Sequence, residues 1–269
     1  LYTWIDDANN AFVTKKGDPK TIIIDQKKCK NYVIPLALIP KFMKYYEFSY
    51  KNGCSTLGFS ERQSTDDFPY AGLAFDFDMI IKTDTFDMSK EYTKFATTIC
   101  SMVYRHLKIS ELDVMAFFIV RPKTTRKDNG YKTGFHMIIP GIQTTRSYKK
   151  YLMKELSTNK KLVKVLSGMN LVTPEEECLD RAYASNPVLF LGSAKREGLV
   201  YQLKYALRVT FDDLDDLSAD TEQVPLDSIK DYNLPWELSL NFQAEYPNKD
   251  PLVKKQVFKP RDDIELRVK

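Results

Sequence analysis

Two carboxylates, Asp76 and Asp78, lie within the otherwise apolar run Leu73–Ile81 (LAFDFDMII). If this run is a β-strand, residues two apart share a face, so both carboxylates point one way and Phe75 and Phe77 point the other. Two like charges so close together are unfavourable there unless a cation compensates them. Carboxylate oxygens are the ligands that Mg²⁺ and Mn²⁺ prefer. The pair therefore indicates a divalent-metal site, with a solvated strand face as the alternative.

A second polar face is predicted on the strand Gly134–Ile139 (GFHMII). Gly134 and His136 share this face. Because Gly134 has no side chain, a ligand could approach His136 closely. Lys132 adds a positive charge just upstream. A hydrogen-bonded histidine in the core is the alternative interpretation.

Two later segments could complete such a site. Asp180 follows a short helix that is predicted to begin after Thr173-Pro174. The segment Gly192–Arg196 (GSAKR) is a turn of small residues that ends in two cations, which suits phosphate binding. Taken alone, each segment has a plainer interpretation: an aspartate near a helix end, and an ordinary turn.

The elements that must position these residues alternate between strands and helices. Val114–Val120 (VMAFFIV) is predicted as a buried strand, and the basic loop Arg121–Lys132 joins it to the strand of His136 in an antiparallel hairpin with an extended tip. Helices are predicted over residues 39–50, 89–107 and 147–166, and further strands over 188–191 and 199–207. The end of the chain, with prolines at 225, 235, 247, 251 and 260, is expected to be weakly structured. The predicted fold class is therefore α+β, with mixed or antiparallel sheets and flanking helices.

Composition narrows the classes of function. The 269 residues are 43% apolar, enough for a substantial core, yet no apolar run is long enough for a transmembrane helix. The four cysteines have no zinc-ligand spacing and there are only two histidines, so no zinc site is expected. No phosphate loop of the type Gly-x4-Gly-Lys-Ser/Thr is present, which argues against an ATPase motor in this piece.

The charge is unevenly distributed along the chain. Lys and Arg crowd residues 121–132, 146–164 and 195–208, whereas Asp and Glu crowd residues 212–222. The net charge is only +4. This asymmetry suggests that one side of the molecule faces a polyanion, although ordinary solvated helix faces would give the same pattern.

The order and spacing of these motifs resemble those of the archaeo-eukaryotic primase (AEP) superfamily. His136 follows Asp76 by 60 residues, Asp180 follows His136 by 44, and Lys195 follows Asp180 by 15. Within the superfamily, the chain is similar to primases of primase-helicases from nucleocytoplasmic large DNA viruses of the poxvirus and asfarvirus type. The runs FSER before the Asp-x-Asp strand and LVYQL after Lys195 also fit that pattern.

Two departures from the superfamily pattern stand out. Gly134 occupies the place of the serine in the Ser-x-His motif. Relatives with polymerase activity carry arginines between the third aspartate and the lysine, where this chain has Asn186-Pro187 and Leu189–Leu191. The three aspartates are retained, so the metal-binding part of the resemblance is intact.

The resemblance implies an RRM-like catalytic module that makes primers on single-stranded DNA. Residues 1–210 would form the catalytic domain, as two interlocked α/β modules, and residues 211–269 an acidic loop and C-terminal extension leading to a helicase portion. Asp76, Asp78 and Asp180 would hold two Mg²⁺ or Mn²⁺ ions. The residues expected to contact an incoming NTP or dNTP are Lys132, Gly134, His136, Ser193, Lys195 and Arg62. The protein would act at viral replication sites in the host cytoplasm, and no membrane partner is expected.

The basic loop could hold the template strand. Lys123, Arg126 and Lys127 would contact its phosphates, and Tyr131 would stack on a base. Two other functions remain open. One is a catalytically inactive single-stranded-DNA-binding module that guides DNA to a helicase. The other is a metal-dependent glycosyltransferase, but residues 1–70 are too short and irregular for the nucleotide-binding half that usually precedes its Asp-x-Asp motif.

Overall fold

A computed structural model describes residues 1–7, 13–14, 23–25, 28, 30–53, 57–63, 69–109, 112–194, 198–211, 219–241 and 251–268. Its helices are α1 (Tyr2–Ile5), α2 (Ile39–Lys51), α3 (Tyr92–His106), α4 (Arg146–Ser157), α5 (Lys160–Ser167), α6 (Leu226–Ile229), α7 (Leu234–Glu237) and α8 (Asp262–Val268). Its strands are β1 (Val13–Thr14), β2 (Ile23–Asp25), β3 (Lys30–Tyr32), β4 (Phe59–Glu61), β5 (Tyr70–Ile81), β6 (Leu112–Val120), β7 (Thr125–Lys127), β8 (Gly130–Thr145), β9 (Val188–Leu189), β10 (Gln202–Phe211), β11 (Asp220–Gln223) and β12 (Gln256–Val257). None of the described helices is long and apolar enough to cross a bilayer.

The strands form two sheets. The smaller sheet has the order β1-β3-β2-β4-β9 and is antiparallel. The larger sheet follows β11-β10-β6-β8-β12, and β5 and β7 also pair with β8. Its pairs are antiparallel except for the short parallel pair of β8 and β12. The fold is α+β with antiparallel sheets and flanking helices, as predicted.

The alternation of side chains along β5 separates the core from the polar face. Phe77 stacks on Phe135 of β8 with ring centroids 4.7 Å apart, and it meets Phe95 of α3 edge-on at 5.2 Å. Burying a ring of this size contributes roughly 1.5–3 kcal/mol. Because the odd-numbered residues of β5 are fixed in this core, Asp76 and Asp78 must point to the opposite face of the sheet.

Two helix predictions have different outcomes. The helix predicted over residues 39–50 is confirmed as α2. The single helix predicted over residues 147–166 is wrong, because the chain breaks into α4 and α5 at Thr158 and Asn159. The Asn159 side chain accepts hydrogen bonds from the N–H groups of Lys161 and Leu162 at 3.0 and 3.1 Å, which starts a new helix there.

The expectation of a weakly structured chain end is wrong for the described residues beyond 225. Leu234, Leu238 and Val253 are buried in the cluster on the polar side of the larger sheet, and Trp236 packs against the smaller sheet. Prolines misled the prediction because Pro235 lies in the first turn of α7, where proline is tolerated. A domain boundary near residue 210 stays a prediction.

Candidate active site

Backbone pairing brings the three aspartates together. Asp76 and Asp78 lie on β5, and residues 178–180 run antiparallel along the edge of that strand. The N–H of Asp180 donates to the Asp76 carbonyl at 2.9 Å. The N–H of Asp78 donates to the Cys178 carbonyl at 3.0 Å. Asp180 therefore lies beside Asp76 although it comes much later in the chain.

The three carboxylates differ in their hydrogen bonds. Asp78 Oδ2 accepts a hydrogen bond from Lys132 Nζ at 3.1 Å. Asp180 Oδ1 accepts one at 2.9 Å from a backbone N–H of the short helix that follows it. Asp76 Oδ1 is buried 3.3 Å from His136 Nε2, yet it makes no hydrogen bond within the described part of the chain. As the side chains stand, no three acidic, histidine or cysteine groups among the described residues already form a metal-binding cluster.

These side chains nevertheless suit a divalent cation. A buried carboxylate oxygen without a partner costs on the order of 1–3 kcal/mol or more, and an ion at Asp76 would supply the missing interaction. Asp78 keeps 45% of its side chain exposed, so its carboxylate has room to exchange Lys132 for an ion. All three donors are carboxylate oxygens, the ligands that Mg²⁺ and Mn²⁺ prefer. The set therefore fits either ion.

The carboxylates open into a cavity of about 370 Å³. Its lining residues are Asp76, Asp78, Arg121, Lys132, His136, Asp180, Tyr183, Asn186, Pro187, Leu189, Gly198, Leu199 and Tyr201. A larger depression of about 690 Å³, near Lys108 and Phe258, contains one carboxylate, Asp113, and no histidine among its described lining residues. Of the two, the smaller cavity therefore holds more of the carboxylate and histidine side chains that could bind a metal.

Two tyrosines hold the ring of His136. It stacks on Tyr201 with centroids 4.7 Å apart and planes at 14°, and it lies 5.4 Å from the ring of Tyr183. Burial raises the pKa of Tyr183 well above its usual range. Burial, reinforced by Asp78 and Asp76, raises the pKa of Tyr201 to about 12. Both phenols are therefore neutral near pH 7, and the imidazole is fixed between two uncharged rings.

Comparison with known proteins places the chain in a family. Residues 21–207 match the family model described as the C962R protein N-terminal AEP domain. The chain belongs to this family. It is 31% identical over 283 residues to "Putative primase C962R" of African swine fever virus strain Badajoz 1971 Vero-adapted, and 30% identical over 274 residues to the protein of the same name from isolate Pig/Kenya/KEN-50/1950. These matches cover 100% and 96% of this chain but only 28% and 27% of the relatives. The predicted resemblance to AEP primases of the asfarvirus type is confirmed.

In this AEP domain, the absence of a side chain at Gly134 makes room for the neighbouring strand β5. A Cβ at Gly134 would clash with the carbonyl oxygen of Phe77 and would lie 3.0 Å from Asp78 Oδ1. The serine of the superfamily motif would therefore press on the strand that carries two of the aspartates. The space was expected to admit a ligand beside His136, but the structure fills it with β5. A nucleotide contact at Gly134 stays a prediction.

Only some of the other residues expected to contact the nucleotide line the cavity. Lys132 and His136 line the cavity, whereas Ser193 and Arg62 do not. Ser193 is only 2% exposed, and its Oγ shares a hydrogen bond with the Tyr46 hydroxyl at 2.7 Å, so it links its turn to α2. Arg62 is exposed at the end of β4. Lys195 lies outside the described residues, and its role stays a prediction.

The predicted antiparallel hairpin is confirmed, since β6 pairs with β8 and β7 extends the tip. Lys123, Arg126 and Lys127 are exposed on it. Tyr131 packs partly against the core, and the Arg126 guanidinium lies 5.8 Å from the centroid of its ring. Stacking of a base on Tyr131 therefore competes with Arg126. The contacts of this basic hairpin (residues 121–132) with DNA stay a prediction.

Sequence reasoning missed several residues that line the cavity. Arg121 was counted only as the first residue of a basic loop, and Tyr183 and Asn186 were given no role. Tyr201 was noted only as part of the superfamily pattern. Arg121 could have been found, because it directly follows a strand predicted to pair with the strand of His136, which places it beside that residue.

Proposed function

We propose that this domain synthesises primers on single-stranded DNA by nucleotidyl transfer. The observation that carries the proposal is that Asp76, Asp78 and Asp180 share one cavity with His136 and Lys132. The primase named in the relatives supports the same class of reaction. A metal-dependent glycosyltransferase has no such support.

The three aspartates would hold two Mg²⁺ or Mn²⁺ ions, which when bound activate the attacking hydroxyl and neutralise the triphosphate. Asp76 is fixed for this task by its pairing on β5 opposite His136. Its buried Oδ1 has no hydrogen-bond partner among the described residues to displace. Asp78 and Asp180 would give up the partners that they have in the ion-free protein.

The cavity is lined by charged and by apolar side chains, which would suit the phosphates and the nucleoside of a nucleotide. Lys132 and His136 lie beside the carboxylates, where they would contact the phosphates of an NTP or dNTP. Lys132 neutralises Asp78 in the ion-free protein, so an ion on Asp78 would free its ammonium group for a phosphate. The lining also contains the apolar residues Pro187, Leu189 and Leu199, which would face the nucleoside. Positioning and charge neutralisation supply the rate of such reactions.

The direct test is replacement of both Asp76 and Asp78 by alanine. Primer synthesis on single-stranded DNA with Mg²⁺ or Mn²⁺ should fall to background, while circular dichroism shows that the fold is kept. Asp113→Ala, which removes an exposed carboxylate from the larger depression, is the matched control and should stay active. Continued synthesis by the double variant would show that these carboxylates hold no essential metal.

A catalytically inactive DNA-binding module is the second candidate, and the exposed basic hairpin favours it. Neutralising Lys123, Arg126 and Lys127 together should make single-stranded DNA binding less dependent on salt. The slope of log K against log salt concentration should fall in magnitude by about 0.7 per lost contact, or about 2 in all. Lys132→Ala should instead raise the apparent KM for the nucleotide and leave DNA affinity nearly unchanged. A chain that binds DNA in this way but shows no synthesis at any metal concentration fits the second candidate.

The chain spans about 28% of the length of the relatives that it matches. A helicase portion in the same polypeptide and action at replication sites in the host cytoplasm are therefore further parts of the proposal. Co-purification of the complete polypeptide with ATP-dependent unwinding activity would test the first of these.

A further inference from the structure

Arg121 reaches the candidate active site from β6, a strand that carries none of the three aspartates. It directly follows this strand, and its N–H donates to the Gly134 carbonyl at 3.0 Å, which holds its backbone beside β8. Its side chain lines the same cavity as the three aspartates. The sheet therefore places a guanidinium group in the same cavity as the three carboxylates.

The hydrogen bonds of this guanidinium group are incomplete. Nη2 donates a hydrogen bond to Thr125 Oγ1 at 2.9 Å, and the guanidinium group also donates one to the Tyr201 hydroxyl. The Nε of Arg121 is buried and has no hydrogen-bond partner in the described part of the chain. Among the same residues Arg121 forms no ion pair, whereas Lys132 pairs with Asp78. One charged donor group in the cavity thus lacks an anion.

The missing partner has the chemistry of a phosphate. A buried N–H without an acceptor is costly, and a charged donor gains most from a charged acceptor. The neighbouring carboxylates of Asp76 and Asp78 lie against His136 and Lys132. The planar fork of an arginine matches two phosphate oxygens at once. A triphosphate placed beside ions on the aspartates would bring such oxygens to Arg121.

Tyr201 connects Arg121 to the other phosphate-facing groups. Its ring stacks on His136, and its hydroxyl accepts a hydrogen bond from Arg121. Because its pKa is about 12, the hydroxyl stays protonated near pH 7 and cannot act as a competing anion for Arg121. A change at Tyr201 would therefore disturb two groups in the cavity at the same time.

We propose that Arg121 binds the triphosphate of the incoming nucleotide and that Tyr201 is a positioning residue that holds Arg121 and His136 in place. This inference rests on the proposed function, since it names a phosphate contact of the same site. The plain alternative is that Arg121 only ties the basic hairpin to the sheet through Thr125. If Arg121 binds the triphosphate, removing its guanidinium group should weaken ATP binding much more than AMP binding. If Arg121 is only structural, ATP and AMP binding should be unchanged or weakened equally.

The experiment measures binding of ATP and of AMP by titration calorimetry with Mg²⁺, without DNA. Arg121→Gln should weaken ATP binding by roughly 10- to 100-fold and AMP binding much less, because charge-assisted hydrogen bonds to the outer phosphates are lost. Arg121→Lys keeps the charge but not the fork and should fall in between. Tyr201→Phe keeps the stacked ring and should weaken ATP binding by about 2- to 10-fold. The matched control is Arg208→Gln, at an exposed arginine that pairs with Asp113 and does not line the cavity, and it should bind ATP as the parent chain does.

Two results would overturn the inference. One is unchanged ATP affinity in Arg121→Gln, and the other is an equal loss for ATP and AMP, which indicates a structural role. If Arg121→Gln does not fold, Arg121→Lys carries the same test. Primer synthesis separates this inference from the proposed function. A parent chain that makes no primers but binds ATP through Arg121 rejects only the function, whereas synthesis with an unchanged KM for nucleotide in Arg121→Gln rejects only the inference.

Discussion

Glu61 on β4 and Asp76 on β5 are both largely enclosed by protein, but their oxygens are satisfied to different degrees. Glu61 is 2% exposed and accepts hydrogen bonds from the Ser239 hydroxyl at 2.8 Å and from two backbone N–H groups just after it, at 2.6 and 3.3 Å. The buried Lys149 and the half-buried Lys255 lie close enough to act on its charge. Asp76 Oδ1 lies 3.3 Å from His136 Nε2 and has no hydrogen bond among the described residues.

This is the difference that we expect between a carboxylate with a structural role and one that binds a ligand. The Glu61 cluster, defined as Glu61, Lys149 and Lys255, joins β4, α4 and the segment before β12. Lys149 Nζ donates to Gln63 Oε1 at 2.9 Å, and Lys255 Nζ donates to the Ser239 carbonyl at 2.6 Å. Burial raises the pKa of Glu61, and the hydrogen bonds from residues 239–241 together with the charge of Lys255 oppose that rise. Under the proposed function, the oxygen of Asp76 that lacks a hydrogen bond beside the cavity would accept an ion.

The largest effect is expected from Glu61→Gln. Removing one partner of a buried charged group strands the others, so the free energy of unfolding should fall by roughly 3–5 kcal/mol. Urea unfolding followed by circular dichroism measures this change. Glu47→Gln on α2 is a control with an exposed ion pair, and it should change stability by about 1 kcal/mol or less. Equal effects of the two substitutions would remove the structural role assigned to the Glu61 cluster.

A smaller effect is expected where the two strands of the candidate site meet. Gly134→Ala would force a methyl group against the Phe77 carbonyl and the Asp78 carboxylate, at a cost of about 1–3 kcal/mol for overpacking. Gly168→Ala is the control, because its Cβ would meet only Val165 at an ordinary 3.5 Å. Unfolding in urea should separate the two variants. If Gly134→Ala is as stable as its control, β5 and β8 are less tightly packed at Asp78 than the structure indicates.

The third prediction concerns pH. Burial lowers the pKa of Lys149 to about 7 and that of Lys255 to about 8. From about pH 7 for Lys149, and from about pH 8 for Lys255, up to about pH 10, the unfolded chain binds more protons than the folded chain. The free energy of unfolding should therefore rise with pH there by about 1 kcal/mol per unit for each lysine. Lys149→Met should reduce this slope, and Lys150→Met, at an exposed neighbour, should not. Identical slopes at pH 7, 8 and 9 in all three chains would contradict the buried cluster.

The same contrast shows what a sequence can reveal about such a site. Strand parity is a local rule, so it correctly placed Asp76 and Asp78 on one face of their strand. No local rule indicates which strand edge Asp180 lies against, and only the order of the motifs pointed to it. The hydroxyl of Ser193 bonds Tyr46, a residue distant in the chain, so its turn gave no sign that the hydroxyl was already engaged.

The Glu61 cluster was not anticipated at all. Glu61 was noted only as part of a superfamily pattern, and Lys149 looked like one of many cations on a basic helix. Their burial depends on the segment after residue 225, whose prolines predicted little structure. Buried charges are specified by distant partners, so composition and periodicity could not distinguish Lys149 from its exposed neighbour Lys150.

The smallest effect on stability is expected for the Asp76→Ala/Asp78→Ala variant. Removing two like charges from one strand face relieves their repulsion and removes an unsatisfied buried oxygen, whereas the lost contact with Lys132 is half-exposed and weak. Without metal, the Tm should therefore stay the same or rise slightly, in contrast to the large loss for Glu61→Gln. With increasing Mg²⁺, the Tm of the parent chain should rise, because an ion that binds only the folded state stabilises it, while that of the variant should not respond. A marked loss of stability in metal-free buffer would mean that these aspartates, like Glu61, hold the fold together, and the distinction between the two kinds of carboxylate would fail.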